Sequence, residues 1–206
     1  MPAVTIIDCG LSNIDSAVRA IEYCGGDPVV TRDPRTVRSA GRIVLPGVGA
    51  FPEAMRRLNN TGLADAVRES AVHAERPILG ICLGMQLLAT AGQENTFTQG
   101  LGLIPGDIVP LKRADPIERI PHIGWNTVED RFGTCPLLEG VPPESDFYFV
   151  HGFHFMPANP DHVLATTPSY GGMAAIVGGG QAFGAQFHPE KSQATGFLLL
   201  KNFIGL

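Results

Sequence analysis

The sequence predicts an α/β fold, an open and mostly parallel sheet flanked by helices, with a more β-rich C-terminal half. Three observations predict it. In the first hundred residues, short runs of aliphatic and β-branched residues alternate with stretches of helical period. One continuous apolar run, Pro77-Ile78-Leu79-Gly80-Ile81, has the character of a strand covered on both faces. From about Gly100 the texture changes to Gly/Pro turns between short strands.

Val4-Thr5-Ile6-Ile7 reads as the first buried strand. Ile14, Ala17, Val18 and Ile21 then recur at helical spacing until Gly25-Gly26 stops the helix. A second strand, Arg42-Ile43-Val44-Leu45, runs into Pro46-Gly47-Val48-Gly49, and helical stretches follow through Met55, Leu58, Leu63, Ala66 and Val67. The apolar strand ending at Ile81 is followed by the helical pattern Met85-Gln86-Leu87-Leu88-Ala89. In the second half, strands are expected at Ile108-Val109, Phe147 to Val150, Val163 to Thr166, Ala174 to Val177 and Ala182 to Phe187. Thr195 to Phe203 restores a helical pattern that would close the fold. Neither a repeat nor a low-complexity linker interrupts the chain, so residues 1–206 are expected to form a single domain. In sheets of this kind ligands bind beyond the carboxyl ends of the strands.

Composition narrows the function classes. Hydrophobic residues make up 44% of the chain and charged residues 17%, the balance of an ordered globular protein. A net charge of -5 without a run of like charges gives no footprint for nucleic acid. The longest apolar stretches, Pro77 to Leu83 and Phe197 to Leu200, fall well short of the roughly 20 residues of a membrane span. The start Met1-Pro2-Ala3-Val4 lacks a basic region leading into an apolar signal segment, which suggests a cytoplasmic protein. Cys9, Cys24, Cys82 and Cys135 show no CxxC spacing, so neither a zinc site nor a redox pair is indicated.

One of those cysteines has a local reason to be reactive. Gly80-Ile81-Cys82-Leu83-Gly84 has the form G-x-nucleophile-x-G between a strand and a helical pattern. In such an elbow a strained turn exposes the nucleophile, and the glycines remove side chains that would clash. Without further support Cys82 reads equally well as a buried thiol in a Gly-rich turn. His188-Pro189-Glu190, which follows the strand Phe183 to Phe187, offers a base and a carboxylate to orient it. That pairing requires this strand to end at the same sheet edge as Ile81. The loop Pro46 to Gly49 is nearly free of side chains and could aim backbone N–H groups at an oxyanion, complementing the N–H of Leu83. His151-x-x-His154 superficially suggests a metal pair, but residues three apart on a strand face opposite sides, and no metal or other cofactor is expected. Asp8 and Asp33 at strand ends read as cap and turn residues.

Taken together, PGVGAF, GICLGMQLL and FHPEKS, in this order and spacing, resemble the class I glutamine amidotransferases. More narrowly, PGVGAFPEAM, PHIGWN, FYFVH and HPEKS resemble the glutaminase subunits of imidazole glycerol phosphate synthase, an enzyme of histidine biosynthesis; the matches run from Asp8 to Phe203. The resemblance implies a Cys82, His188, Glu190 triad that hydrolyses L-glutamine to glutamate and ammonia. It also implies an oxyanion site at Leu83, Val48 and Gly49, and Gln86 against the substrate.

With 16 residues after Glu190, it implies an acceptor enzyme in trans: a (β/α)8-barrel cyclase, joined as a heterodimer through positions that match Asn13, Trp125, Tyr148 and Lys191. Weak activity of the isolated chain and strong stimulation by the partner are expected on the same basis. Without the resemblance, Trp125 and Tyr148 would read as core and Lys191 as a solvated charge.

Two segments depart from the family pattern. The usual Tyr-Gly-x-Gly-Asn appears as Cys9-Gly10-Leu11-Ser12-Asn13, and the usual Ser or Thr with Tyr after FYFVH appears as Gly152-Phe153. They leave two alternatives open: a paralogue feeding another acceptor, such as a surface-sugar amidination enzyme, and a non-catalytic partner-binding homologue. An intact triad argues against the second.

Overall fold

The computed structural model describes residues 1–72 and 76–206. Its first half alternates β1 (Ala3–Ile7), α1 (Ile14–Tyr23), β2 (Asp27–Thr31), α2 (Pro34–Arg38), β3 (Ile43–Gly47), α3 (Phe51–Thr61), α4 (Leu63–Val72), β4 (Ile78–Cys82) and α5 (Leu83–Leu87). The second half supplies β5 (Ala91–Gly92), β6 (Thr98–Gln99), β7 (Gly106–Pro110), β8 (His122–Thr127), β9 (Glu129–Asp130), β10 (Asp146–His151) and β11 (Phe153–Pro157). It ends with β12 (Val163–Thr166), β13 (Ala174–Gly179), β14 (Ala182–Ala185) and α6 (Gln193–Gly205).

The main sheet has the order β2-β1-β3-β4-β14-β13-β12-β9. Its first five strands are parallel, and β13, β12 and β9 extend it antiparallel. Alternate strand residues face opposite sides, as the two-residue period requires. Ile7, Ile43, Leu45 and Ile78 pack with Phe51, Met55 and Leu58 on one face. Ile6, Val44, Leu79 and Ile81 pack with Ile21, Leu200 and Phe203 on the other. Both faces are therefore covered by helices, which explains why β3 and β4 are buried along their whole length.

The expected strands and helices of the first half are present, but β2 escaped the sequence reading. It is the edge strand, mostly exposed, and it contains Pro28. A proline is tolerated there because one side of an edge strand has no ladder to complete. Asp33 caps α2 by accepting from the Arg35 N–H at 2.9 Å, and Asp8 accepts from the Gly10 N–H at 2.8 Å and pairs with Arg32, so both act as cap and turn residues.

The strands expected in the second half exist but belong to three different sheets. Of the expected strands, only β12, β13 and β14 join the main sheet. β10 pairs antiparallel with β8, and β11-β7-β5-β6 form a separate four-stranded sheet. The sequence reading missed β8 and β11, and the two-residue strands β5, β6 and β9. β8 follows Pro121 directly and holds Gly124 at φ 140, so its residues look like a turn. Among the described residues no helix is long and apolar enough to cross a membrane.

Candidate active site

Cys82 closes β4 and stands directly before α5, with φ 54 and ψ -108. A non-glycine residue in that region is strained, and the strain turns the side chain out of the sheet edge. The neighbouring glycines are required by packing. A Cβ on Gly84 would lie 1.7 Å from the Leu45 carbonyl oxygen, and one on Gly80 would lie 2.5 Å from the Gly84 carbonyl oxygen. The elbow therefore exists because α5 is pressed onto β3 and β4 too closely for any side chain at these two positions.

β14 lies beside β4 in parallel, with Ala185 opposite Ile81. The requirement that the two strands share an edge is met, and the residues just beyond Ala185 emerge next to Cys82. His188 is 2% exposed; its Nδ1 lies 2.7 Å from Glu190 Oε1, and its backbone N–H donates to the Tyr148 carbonyl at 2.8 Å. Its Nε2 is buried and has no hydrogen-bond partner among the described residues, which leaves that nitrogen for the thiol. Burial alone would lower the His188 pKa, but Cys82 and Glu190 outweigh it and raise it to about 9. The thiol donates to the Val150 carbonyl at 3.6 Å, while its interaction with His188 is the largest influence raising that imidazole. Unliganded sites often tighten such contacts only when substrate binds. The other cysteines are held as thiols by burial, which pushes Cys135 up to about 11 and also raises Cys9 and Cys24.

A cavity of about 290 Å³ opens over Cys82, bordered by Val48, Gly49, Leu83, Gln86 and Glu94 on one side and by Val150 to Phe153 on the other. Its size lies near the lower end for small-molecule sites. Gln86 is buried rather than an ordinary exposed helical residue. Its Nε2 donates to the Phe153 carbonyl and to Gln186 Oε1, both at 3.1 Å, so the group left for the cavity is its own carbonyl oxygen. Leu83 is the first residue of α5, and its N–H has no acceptor within the helix.

The Val48 amide is differently placed. It donates to the Leu11 carbonyl at 2.7 Å and is not free to meet an oxyanion in this state. Gly49 next to it has φ 102, a conformation in which a side chain would be strained.

Glu94 was not anticipated by the sequence reading. It follows the short strand β5 and belongs to no motif, yet among the described residues it is the only carboxylate on the cavity wall. One of its oxygens accepts from the Phe51 N–H at 2.7 Å at the start of α3. The pair His151 and His154 does not converge: His151 ends β10 and turns to His122 at 3.1 Å, whereas His154 lies on β11.

Of the positions expected to meet a partner, Trp125 is 48% exposed, and Asn13 and Lys191 are also exposed. Tyr148 is half-buried, opposite Trp125 in the β8/β10 register, with ring centroids 5.8 Å apart. Lys191 follows directly on Glu190, so an exposed position adjoins the buried carboxylate.

The family of class-I glutamine amidotransferases matches residues 5–205. The imidazole glycerol phosphate synthase subunit HisH of Rhodospirillum rubrum is 44% identical over 98% of this chain and 97% of its own length. The protein of the same name from Geobacillus kaustophilus is 44% identical, again over 98% of this chain and 96% of its own. PurLQS from Thermotoga maritima superposes with a TM-score of 0.77 over 99% of this chain and 98% of that one, and at 19% identity it supports the fold alone. The chain belongs to the class-I glutamine amidotransferases and, among them, to the family of the imidazole glycerol phosphate synthase HisH subunits.

Proposed function

We propose that this chain hydrolyses L-glutamine through Cys82, His188 and Glu190 and hands the ammonia to the cyclase subunit of an imidazole glycerol phosphate synthase. The observation that carries it is the strained Cys82 lining the cavity, with the buried His188–Glu190 pair coupled to it. The names of the HisH relatives favour this acceptor over a surface-sugar amidination enzyme. A scaffold would have no use for a buried ionisable pair aimed at a cysteine.

Glutamine enters with its side-chain amide carbon beside Sγ and its α-ammonium toward Glu94. As Sγ bonds to the amide carbon, the C=O becomes an oxyanion facing the Leu83 N–H and the Val48–Gly49 loop. His188, holding the thiol proton, protonates the amide nitrogen; the C–N bond breaks, and ammonia leaves a thioester. Water then attacks the thioester, His188 takes its proton, and glutamate departs with the thiol restored.

The Leu11–Val48 bond must open before the Val48 amide can join this oxyanion site. That supplies a physical reason for weak activity in the isolated chain. The partner is a (β/α)8-barrel cyclase that meets the face bearing Asn13, Trp125, Tyr148 and Lys191. The chain works in the cytoplasm as one domain over residues 1–206, with no resident cofactor. The test is glutamate release by the chain alone and with a HisH-type synthase's cyclase subunit and its nucleotide ligand. Strong stimulation that disappears in Cys82→Ala is the expected result; equal rates with and without the cyclase would contradict the partner assignment.

A further inference from the structure

From His151 on the cavity wall, a second pair of histidines forms a hydrogen-bonded chain that leads away from the cavity and that Cys82, His188 and Glu190 do not use. His151 Nδ1 lies 2.8 Å from the Phe153 carbonyl, and His151 Nε2 lies 3.1 Å from His122 Nδ1. His122 Nε2 lies 3.4 Å from Asn126 Nδ2, which also donates to Ser169 Oγ at 2.7 Å. The orientation of that amide is fixed from its other end, because Asn126 Oδ1 accepts from the Thr127 N–H at 2.9 Å.

The chain has one consistent direction. A carbonyl only accepts, so His151 must carry its proton on Nδ1. Both rings are neutral, since burial lowers His122 to about 4 and His151 to about 3. A neutral His151 protonated at Nδ1 has a bare Nε2, which can only accept, so His122 must also carry its proton on Nδ1. His122 Nε2 is then the acceptor that meets the Asn126 donor. The His122 ring is held in plane by Phe149 and Tyr170, each with its centroid 4.7 Å away. At the far end the Phe153 carbonyl receives both His151 and Gln86, and Gln86 borders the cavity.

We propose that His122 is a positioning residue for glutamine: its Nδ1–H donates to His151 Nε2 and holds that ring in place, and His151 thereby fixes the Phe153 carbonyl on which Gln86 is seated. No contact between His122 and substrate is needed. The proposal deepens the glutaminase reading and rests on it for its kinetic consequence, but the tautomer assignment stands independently.

Two measurements test it. Imidazole 15N NMR of the full chain near pH 8 should show His151 and His122 both as neutral Nδ1–H tautomers, and in His122→Leu the His151 Nε2 resonance should move to that of a nitrogen without a donor. In the complex with its cyclase, His122→Leu should raise KM for glutamine by about tenfold, the scale of one lost hydrogen bond, with kcat nearly unchanged. His122→Asn, which keeps a donor near the Nδ1 position, should restore KM. A wild-type His151 protonated on Nε2, or an unchanged KM in His122→Leu, would overturn the proposal. If His122→Leu does not fold, the wild-type tautomers decide. A wild-type complex that releases no glutamate would instead sink the glutaminase reading, with the tautomers still deciding the relay.

Discussion

His188 and His151 are 2% and 6% exposed, yet they titrate in opposite directions. His188 is raised to about 9 and His151 lowered to about 3. Burial pulls both down, so burial does not decide the outcome. The partners do: Cys82 and Glu190 favour imidazolium at His188, while the Phe153 carbonyl cannot offset burial at His151, whose other ring neighbour is a neutral histidine. One side of the site is thus built to carry a proton and the other to stay neutral and hold shape.

The largest expected effect comes from making the His188 side resemble the His151 side. Glu190→Gln keeps the shape but removes the charge, and kcat for glutamine should fall by about 10³-fold while the far-UV spectrum is unchanged. A loss under tenfold would mean that the carboxylate only fills space.

A smaller effect should appear in the pH dependence of Tm. His122 and His151 fold with values of about 4 and about 3, below the roughly 6.5 of an unfolded histidine. Their neutral burial therefore stabilises fully above about pH 6.5 and is lost as pH falls through the folded values, at up to about 1.4 kcal/mol per pH unit per proton. His122→Asn should flatten part of that acid limb. His188 has the opposite sign: its contribution is complete below about pH 6.5 and lost as pH rises through about 9. Glu190→Gln should shrink this alkaline limb and leave the acid one alone. The smallest effect is expected from Glu118→Gln, whose charge raises His122 only against dominant burial; NMR titration should find His122 moving slightly further down.

The same contrast explains what could be read from the sequence. Cys82 with Gly80 and Gly84, and His188 with Glu190, are encoded over two to five residues, so local pattern exposes them. The parallel order of β1, β3 and β4 follows from equally local apolar runs. The neutral side is assembled from residues far apart in the chain: Gln86 meets Gln186 across 100 positions and Phe153 across 67. No local period signals such contacts. β8, which brings His122, sits in a segment punctuated by Pro121 and Gly124 that looks like a loop until β10 pairs with it. The Leu11–Val48 bond joins two loops, and neither loop's own residues signal that the Val48 amide is taken by the other.

The most direct test of the account asks which of the four cysteines reacts. A halomethyl ketone analogue of glutamine, incubated with the chain and its cyclase, should alkylate one thiol as Sγ displaces the halide, and peptide mass spectrometry locates the adduct. The account predicts a single adduct on Cys82, suppressed by excess glutamine and slowed in Glu190→Gln. An adduct on Cys9, Cys24 or Cys135, or glutaminase activity surviving in Cys82→Ala, would contradict it.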